Sequence, residues 1–288
     1  MTTKMLGDPE GFDKNWKSRK ETFYNHHVTG VVKNQIQLAF RSHFEVFSQI
    51  LKDNPTKGKK LIETGCGRGT LSNYFALDGW DVTLLDYNES VIDVAKKIFS
   101  TQNIDVNYKV GDALDLPYED ESFDVITNIG LLEHFDDSAL QKLLDEQTRV
   151  LSKDGWCFSY VVPENPRNIQ RYFNWINALL KIISFSWLKK NNATKPEIFR
   201  SDHGSERYLK CLENSKVKNI TSFGMYPMPM ISHDADFPFS LLPGPIEFCL
   251  ASFYKLILFS RKLITGKHGW ICSEKLGQAF LIAYQKDE

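Results

Sequence analysis

Residues 60–70 read KLIETGCGRGT. An apolar run of strand length ends in three glycines at alternate positions, Gly65, Gly67 and Gly69, and the helix-compatible TLSNYFAL follows. Glycine reaches left-handed φ without strain and leaves the peptide N–H groups bare, so a strand that hands over to a helix through such a loop is where backbone closely approaches a ligand. The stretch predicts the first strand, loop and helix of an α/β fold, with a ligand at the strand's carboxyl end.

Outward from that loop the pattern repeats. Apolar runs at 60–64, 81–86, 105–110, 123–128 and 156–162 alternate with helical patterns at about 70–78, 88–100 and 137–151. This is the signature of a parallel sheet covered on both faces. Upstream, Val32, Ile36, Phe40, Phe44, Phe47 and Leu51 recur every three or four residues, which predicts an amphipathic helix lying on the sheet. After residue 163 the alternation breaks: an aromatic-rich helical segment (169–190) intervenes before a helix at about 204–214 and a strand at 217–223. A second interruption, rich in proline and methionine, precedes an apolar helical segment and a closing strand at 277–284. The expected organisation is an N-terminal helical lid (1–54) and an α/β, doubly wound, mostly parallel core (55–288). Cap insertions fall at about 164–203 and 225–275.

Composition narrows the function. The chain has 288 residues, 42% of them apolar, and a formal net charge of -1 with no long basic block. It therefore lacks the cationic footprint with which nucleic-acid binders displace counterions from phosphates. Five scattered cysteines form no Cys-x-x-Cys pair and no zinc-like spacing, so a reduced, cytoplasmic protein without a metal site is expected. The polar N-terminal stretch carries no apolar core of the signal-peptide kind.

Two ligand classes use a glycine loop of this sort. A dinucleotide site wants a third small residue where Thr70 stands, and a pyrophosphate would be repelled by Glu63, two residues before the first glycine. Asp86, at the end of the second strand, suits the ribose diol of either class. With Asp112 after the third strand, three carboxylates face one crevice, which favours a cationic, hydroxyl-rich ligand such as S-adenosylmethionine.

Five segments in order, ETGCGRG, LLDYNESVIDVAKK, GDALDLPYEDESFDVI, GLLEHF and RVLSKDGW, together resemble the Rossmann-like S-adenosylmethionine-dependent methyltransferases. The resemblance covers residues 60–163 and, more loosely, the last two strands. It implies a seven-stranded sheet whose last strand is antiparallel. It also implies that Glu63, Gly65 and Gly67 line the methionine portion of the cofactor and that Asp86 grips the ribose hydroxyls. Tyr87 would lie beside the adenine, Asp112 would accept from its amino group, the backbone of Ala113 would address the ring, and the carbonyl of Asn128 would face the amino-acid end. Position 63 more commonly carries aspartate in the family; the carboxylate is kept here. A nicotinamide-dependent oxidoreductase is the rival enzyme reading, and a cofactor-binding protein without turnover is the rival outside enzymology.

Methyl transfer needs a base only when the acceptor must lose a proton. His134, in the loop after the fourth strand, is the expected catalytic base because imidazole titrates near neutrality. Its neighbour Glu133, together with Tyr24 and His27 on the lid, is a candidate for contact with a small-molecule acceptor. His203, before the helix at 204–214, either joins them or caps that helix. Trp175, Phe173, Phe185 and Trp187 read as cap core or pocket lining. The segment 245–264 is interrupted by Glu247, Lys255 and Arg261, which argues against a membrane span and leaves a membrane-surface helix open. Acceptor identity and oligomeric state are not legible.

Overall fold

A computed structural model describes residues 31–164, 169–183, 200–213, 215–231 and 242–287. In chain order the elements are α1 (Gln35–Asp53), β1 (Lys60–Thr64), α2 (Thr70–Leu77), β2 (Asp81–Asp86), α3 (Glu89–Thr101), β3 (Asn107–Val110) and β4 (Phe123–Ile129). They continue as α4 (Asp137–Val150), β5 (Leu151–Val161), α5 (Gln170–Ile183), α6 (Ser205–Leu212), β6 (Val217–Met225), α7 (Gly244–Thr265), β7 (Ile271–Cys272) and β8 (Ala279–Lys286).

The strands form one sheet in the order β3-β2-β1-β4-β5-β8-β6-β7. Neighbours from β3 to β5 are parallel, and β8 runs antiparallel between β5 and β6. The seven expected strands are all present, the last of them antiparallel. An eighth, the two-residue β7, pairs with the end of β6. Two residues carry no legible alternation, which is why the sequence does not announce it.

One apolar cluster, which includes Leu61 and Trp270, lies on one face of the sheet, and a second, which includes Ile62 and Tyr284, on the other. The alternation of Leu61 and Ile62 along β1 sends one side chain into each. Local chemistry starts the helices at the expected places. Asn88 accepts from Ser90 N and Asp136 from Ala139 N, each cap contributing about 1 kcal/mol.

The amphipathic helix α1 is present, but its buried face is rotated from the expected stripe. Leu38, Ala39, Ser42, His43, Val46 and Phe47 are buried, whereas Ile36, Phe40 and Phe44 are only partly covered. The sequence hid this because the face includes a serine and a histidine. His43 Nδ1 accepts from Trp270 Nε1 at 3.2 Å, and burial, with His268 nearby, pushes its pKa down to about 3. The neutral imidazole therefore works as a core residue that joins α1 to the C-terminal part of the sheet.

Candidate active site

Because β1, β2, β3, β4, β5 and β6 point the same way, the segments that follow them share one edge. The strand order reverses between β1 and β4, and ligands of open α/β sheets bind in the crevice at such a point. The glycine loop leaves β1 exactly there. Gly65, Gly67 and Gly69 have φ of 63°, 54° and 65°, a left-handed succession that side chains resist. At Gly65 a Cβ would stand 2.8 Å from Leu131 of the β4 loop, so the two loops meet in space that only glycine leaves open.

Two acids frame the loop. Asp86 Oδ2 accepts from Gly67 N at 3.0 Å and its Oδ1 from Asn88 N at 3.0 Å, which fixes the carboxylate at the tip of β2. Burial raises its pKa, against the pull of those N–H groups. Glu63 is buried at the end of β1, where Oε2 accepts from Ser72 N at 3.3 Å. Desolvation first, and the charge of Asp86 last, push its pKa up to about 7. A carboxyl group in that state gains most from a cationic neighbour, since the neighbour would restore the ionised form that burial penalises.

The remaining cofactor candidates lie on the same edge in varied settings. Tyr87 is exposed directly after Asp86. Asp112 Oδ1 accepts from Leu114 N at 2.9 Å, a turn that holds the backbone of the buried Ala113 beside it. Asn128 is fully buried in β4, opposite Ser159 in the register, and donates from Nδ2 to Ser159 Oγ at 2.9 Å.

Beyond Asn128 the chain turns through Gly130 (φ 68°) into a short 3-10 helix, Leu132–His134. Glu133 and His134 are both buried in it. Glu133 Oε1 accepts from Val162 N at 3.3 Å, tying the β4 loop to the end of β5, while Oε2 has no hydrogen-bond partner among the described residues. Desolvation pushes Glu133 up to about 7, with Arg200 and the N–H groups working against it. The Glu133 carbonyl also accepts from Ser201 N at 2.8 Å, which draws the 200–204 segment onto this turn.

His203 follows on that segment, but its side chain is exposed and bonds locally to Ser201 Oγ and Asp202. It does not cap α6, whose N-cap is Gly204 without a side-chain bond. Tyr24 and His27 lie outside the described residues, as do Phe185 and Trp187. Trp175 is exposed on α5 and is therefore no core residue of the described structure, and Phe173 is partly covered. Sequence reasoning did not single out Tyr160 or Tyr226, buried at the ends of β5 and β6 on this same edge. A tyrosine closing an apolar strand was the only available signal.

No group of three or more His, Cys, Asp or Glu able to hold a metal occurs among the described residues. The described cysteines are all free.

With this geometry in hand, comparison with known proteins is specific. Residues 61–155 match the family described as "Methyltransferase domain". The ubiquinone biosynthesis O-methyltransferase of Coxiella burnetii is 36% identical over 109 residues, 38% of this chain and 46% of that protein. The matched stretch thus spans about half the length of that relative. The demethylmenaquinone methyltransferase of Staphylococcus aureus is 28% identical over 201 residues, 64% of this chain and 78% of that protein. A crystal structure of an S-adenosylmethionine-dependent methyltransferase from Methanosarcina mazei superposes with a TM-score of 0.51 at 15% identity, covering 83% of this chain and 97% of that one. At that identity it supports the fold alone.

Proposed function

We propose that this chain, whose residues 61–155 match a methyltransferase domain, is a Rossmann-like S-adenosylmethionine-dependent methyltransferase that uses S-adenosylmethionine to methylate a small-molecule acceptor of the quinone-like class. The observation that carries the reading is the convergence of the left-handed glycine loop, Asp86 and the buried Glu63 at the switch point between β1 and β4. The cofactor supplies a methyl group on a sulfonium leaving group; the protein's residues bind, align and desolvate.

The residues fit that ligand. Each oxygen of Asp86 uses one lone pair on a backbone N–H and keeps another for a ribose hydroxyl. Glu63 offers a carboxylate to the cationic methionine end. Gly65 and Gly67 line that end, Asn128 presents its carbonyl there, and Tyr87, Asp112 and Ala113 address the adenine. His134 takes the proton from a hydroxyl acceptor, and Glu133, whose Oε2 has no hydrogen-bond partner among the described residues, faces the acceptor. Tyr24, His27 and His203 complete the acceptor side in this reading, and the lid (1–54) and the insertions (164–203 and 225–275) enclose it.

The quinone-like class is favoured by the names of the two relatives, one acting in ubiquinone biosynthesis and the other on demethylmenaquinone. A thermal melt tests the cofactor half. S-adenosylhomocysteine at about 100 times its dissociation constant should add about 2.7 kcal/mol of stability, and NAD none. A shift with NAD alone would reverse the assignment. A screen of hydroxylated and quinone-like compounds for methylated products by mass spectrometry tests the acceptor half.

A further inference from the structure

Two helices leave apolar faces uncovered. On α7, a 22-residue helix, only Glu247, Ala251, Tyr254 and Leu258 are buried, at spacings of four, three and four. That is a single stripe toward the protein. The opposite side carries Phe253, Leu256, Phe259 and Leu263, the last 70% exposed. On α5 the exposed residues Tyr172, Trp175, Leu179 and Ile182 again share one side. Monomeric proteins seldom leave contiguous apolar surface of this kind without a partner.

Both helices hang from the same stretch of chain. Gln170 and Asn177 of α5 donate to the Met230 carbonyl at 3.1 and 2.9 Å, and Tyr254 of α7 donates to the Pro229 carbonyl at 2.8 Å. The two helices are therefore anchored through their inner sides to one segment, which follows β6 at the carboxyl edge of the sheet, and their apolar faces are turned away from it.

Charge identifies the partner. Acids and bases are balanced over the whole chain, 36 against 35. Yet α5 has no acid, and the single acid of α7, Glu247, is buried. The exposed charges of the two helices include Arg171, Lys255 and Lys262, all cationic. At 3.6 residues per turn both lysines fall at the margin of the α7 apolar face, where their stems cover hydrocarbon and their heads reach anionic groups. No helix among the described residues is long and apolar enough to cross a membrane. A second copy is a poorer occupant, because a twofold contact through α7 would bring these lysines together with no exposed acid on either helix to offset them.

We propose that the exposed faces of α5 and α7 form one membrane-surface docking site for anionic lipid, with the aromatic and aliphatic side chains entering the headgroup boundary and Lys255 and Lys262 pairing with lipid phosphates. The site stands apart from the methyl-transfer reading, since lipid binding is measured without turnover.

The test is co-sedimentation of the full chain with vesicles of phosphatidylcholine alone or mixed with phosphatidylglycerol. The wild type should pellet with the mixed vesicles, less so at high salt, and poorly with phosphatidylcholine alone. Lys255→Gln with Lys262→Gln should lower partitioning by about fivefold per lysine. Leu256→Ser with Leu263→Ser should abolish it. All four positions are exposed, so an unchanged melt and retained stabilisation by S-adenosylhomocysteine should show that both variants fold. Wild type that stays in the supernatant, equal binding to neutral vesicles, or folded variants that pellet like wild type would overturn the proposal. So would a solution dimer, seen by sedimentation velocity, that Leu256→Ser with Leu263→Ser dissociates.

Discussion

Gly67 donates its backbone N–H to Asp86 Oδ2 across 3.0 Å, so the loop that ends the first strand is tied to the acid that ends the second. In the proposed role one carboxylate has two tasks: it holds the glycine loop in its left-handed course and would present its remaining lone pairs to the ribose. Asp86→Ala removes both. The expected loss in S-adenosylhomocysteine affinity by calorimetry is about 2 to 3 kcal/mol, the usual worth of charge-assisted hydrogen bonds. Asp86→Asn can keep the loop bond through its carbonyl oxygen and should retain part of that affinity. A folded Asp86→Ala protein that binds as well as wild type removes the residue from the site.

In its proposed role beside the sulfonium, Glu63 should make cofactor affinity depend on pH. Its pKa is pushed up to about 7 in the ligand-free protein, chiefly by burial. A cationic ligand favours the carboxylate, so S-adenosylmethionine should bind more tightly as pH rises from about 6 to 8 and the free protein no longer has to lose a proton on binding. Glu63→Gln should bind more weakly and flatten that dependence. Calorimetry in two buffers of different ionisation enthalpy would register proton release near pH 6.5 in wild type and little in the variant. An identical pH profile for both proteins would assign the dependence elsewhere.

Glu133 carries a stability effect whose sign follows from its surroundings. Its pKa is raised from 4.5 to about 7, so between those values the folded state holds a proton that the unfolded chain has already lost. Its contribution to ligand-free stability accordingly falls as pH rises through that window and levels off above it. Glu133→Gln is nearly isosteric and never ionises. The melting temperature of the variant relative to wild type should therefore climb between pH 5 and 8, as followed by circular dichroism. A constant offset would mean that Oε2 has a partner when ionised.

The core, and the meeting of Glu63, the glycine loop and Asp86 at one edge of the sheet, were legible because each rests on a local signal. KLIET and DVTLLD are short segments with apolar centres that end in Thr64 and Asp86, and topology then forces whatever follows them onto one edge. The α1 face was misread because His43 is buried as a neutral ring bonded to Trp270, a partner 227 residues away that no window of sequence contains. Trp175 was misplaced for the opposite reason: an aromatic at helical spacing implies a covered face, yet α5 turns that face outward. The raised pKa of Glu133 depends on complete burial, which the letters EHF do not convey.

The acceptor's chemistry decides between the two neighbours Glu133 and His134, both buried in the turn after β4. If the acceptor is a hydroxyl, a positioned base that removes its proton contributes about 10²- to 10⁴-fold to the rate. With His134 in that role, His134→Ala should lower single-turnover rates by at least about 100-fold while S-adenosylhomocysteine affinity stays within about twofold, because the proposed cofactor contacts do not include His134. Glu133→Gln should then cost far less, and the wild-type rate should fall at acid pH as the imidazole is protonated. With Glu133 as the base the pattern inverts. Its carboxyl group, held at about 7, would give a similar acid limb, so the pH profile alone cannot discriminate and the pair of variants must. Loss in Glu133→Gln with near-normal rates in His134→Ala would transfer the role to Glu133. If both variants stay within about threefold of wild type at every pH, the acceptor carries no proton that must leave, since general-base catalysis predicts a much larger loss.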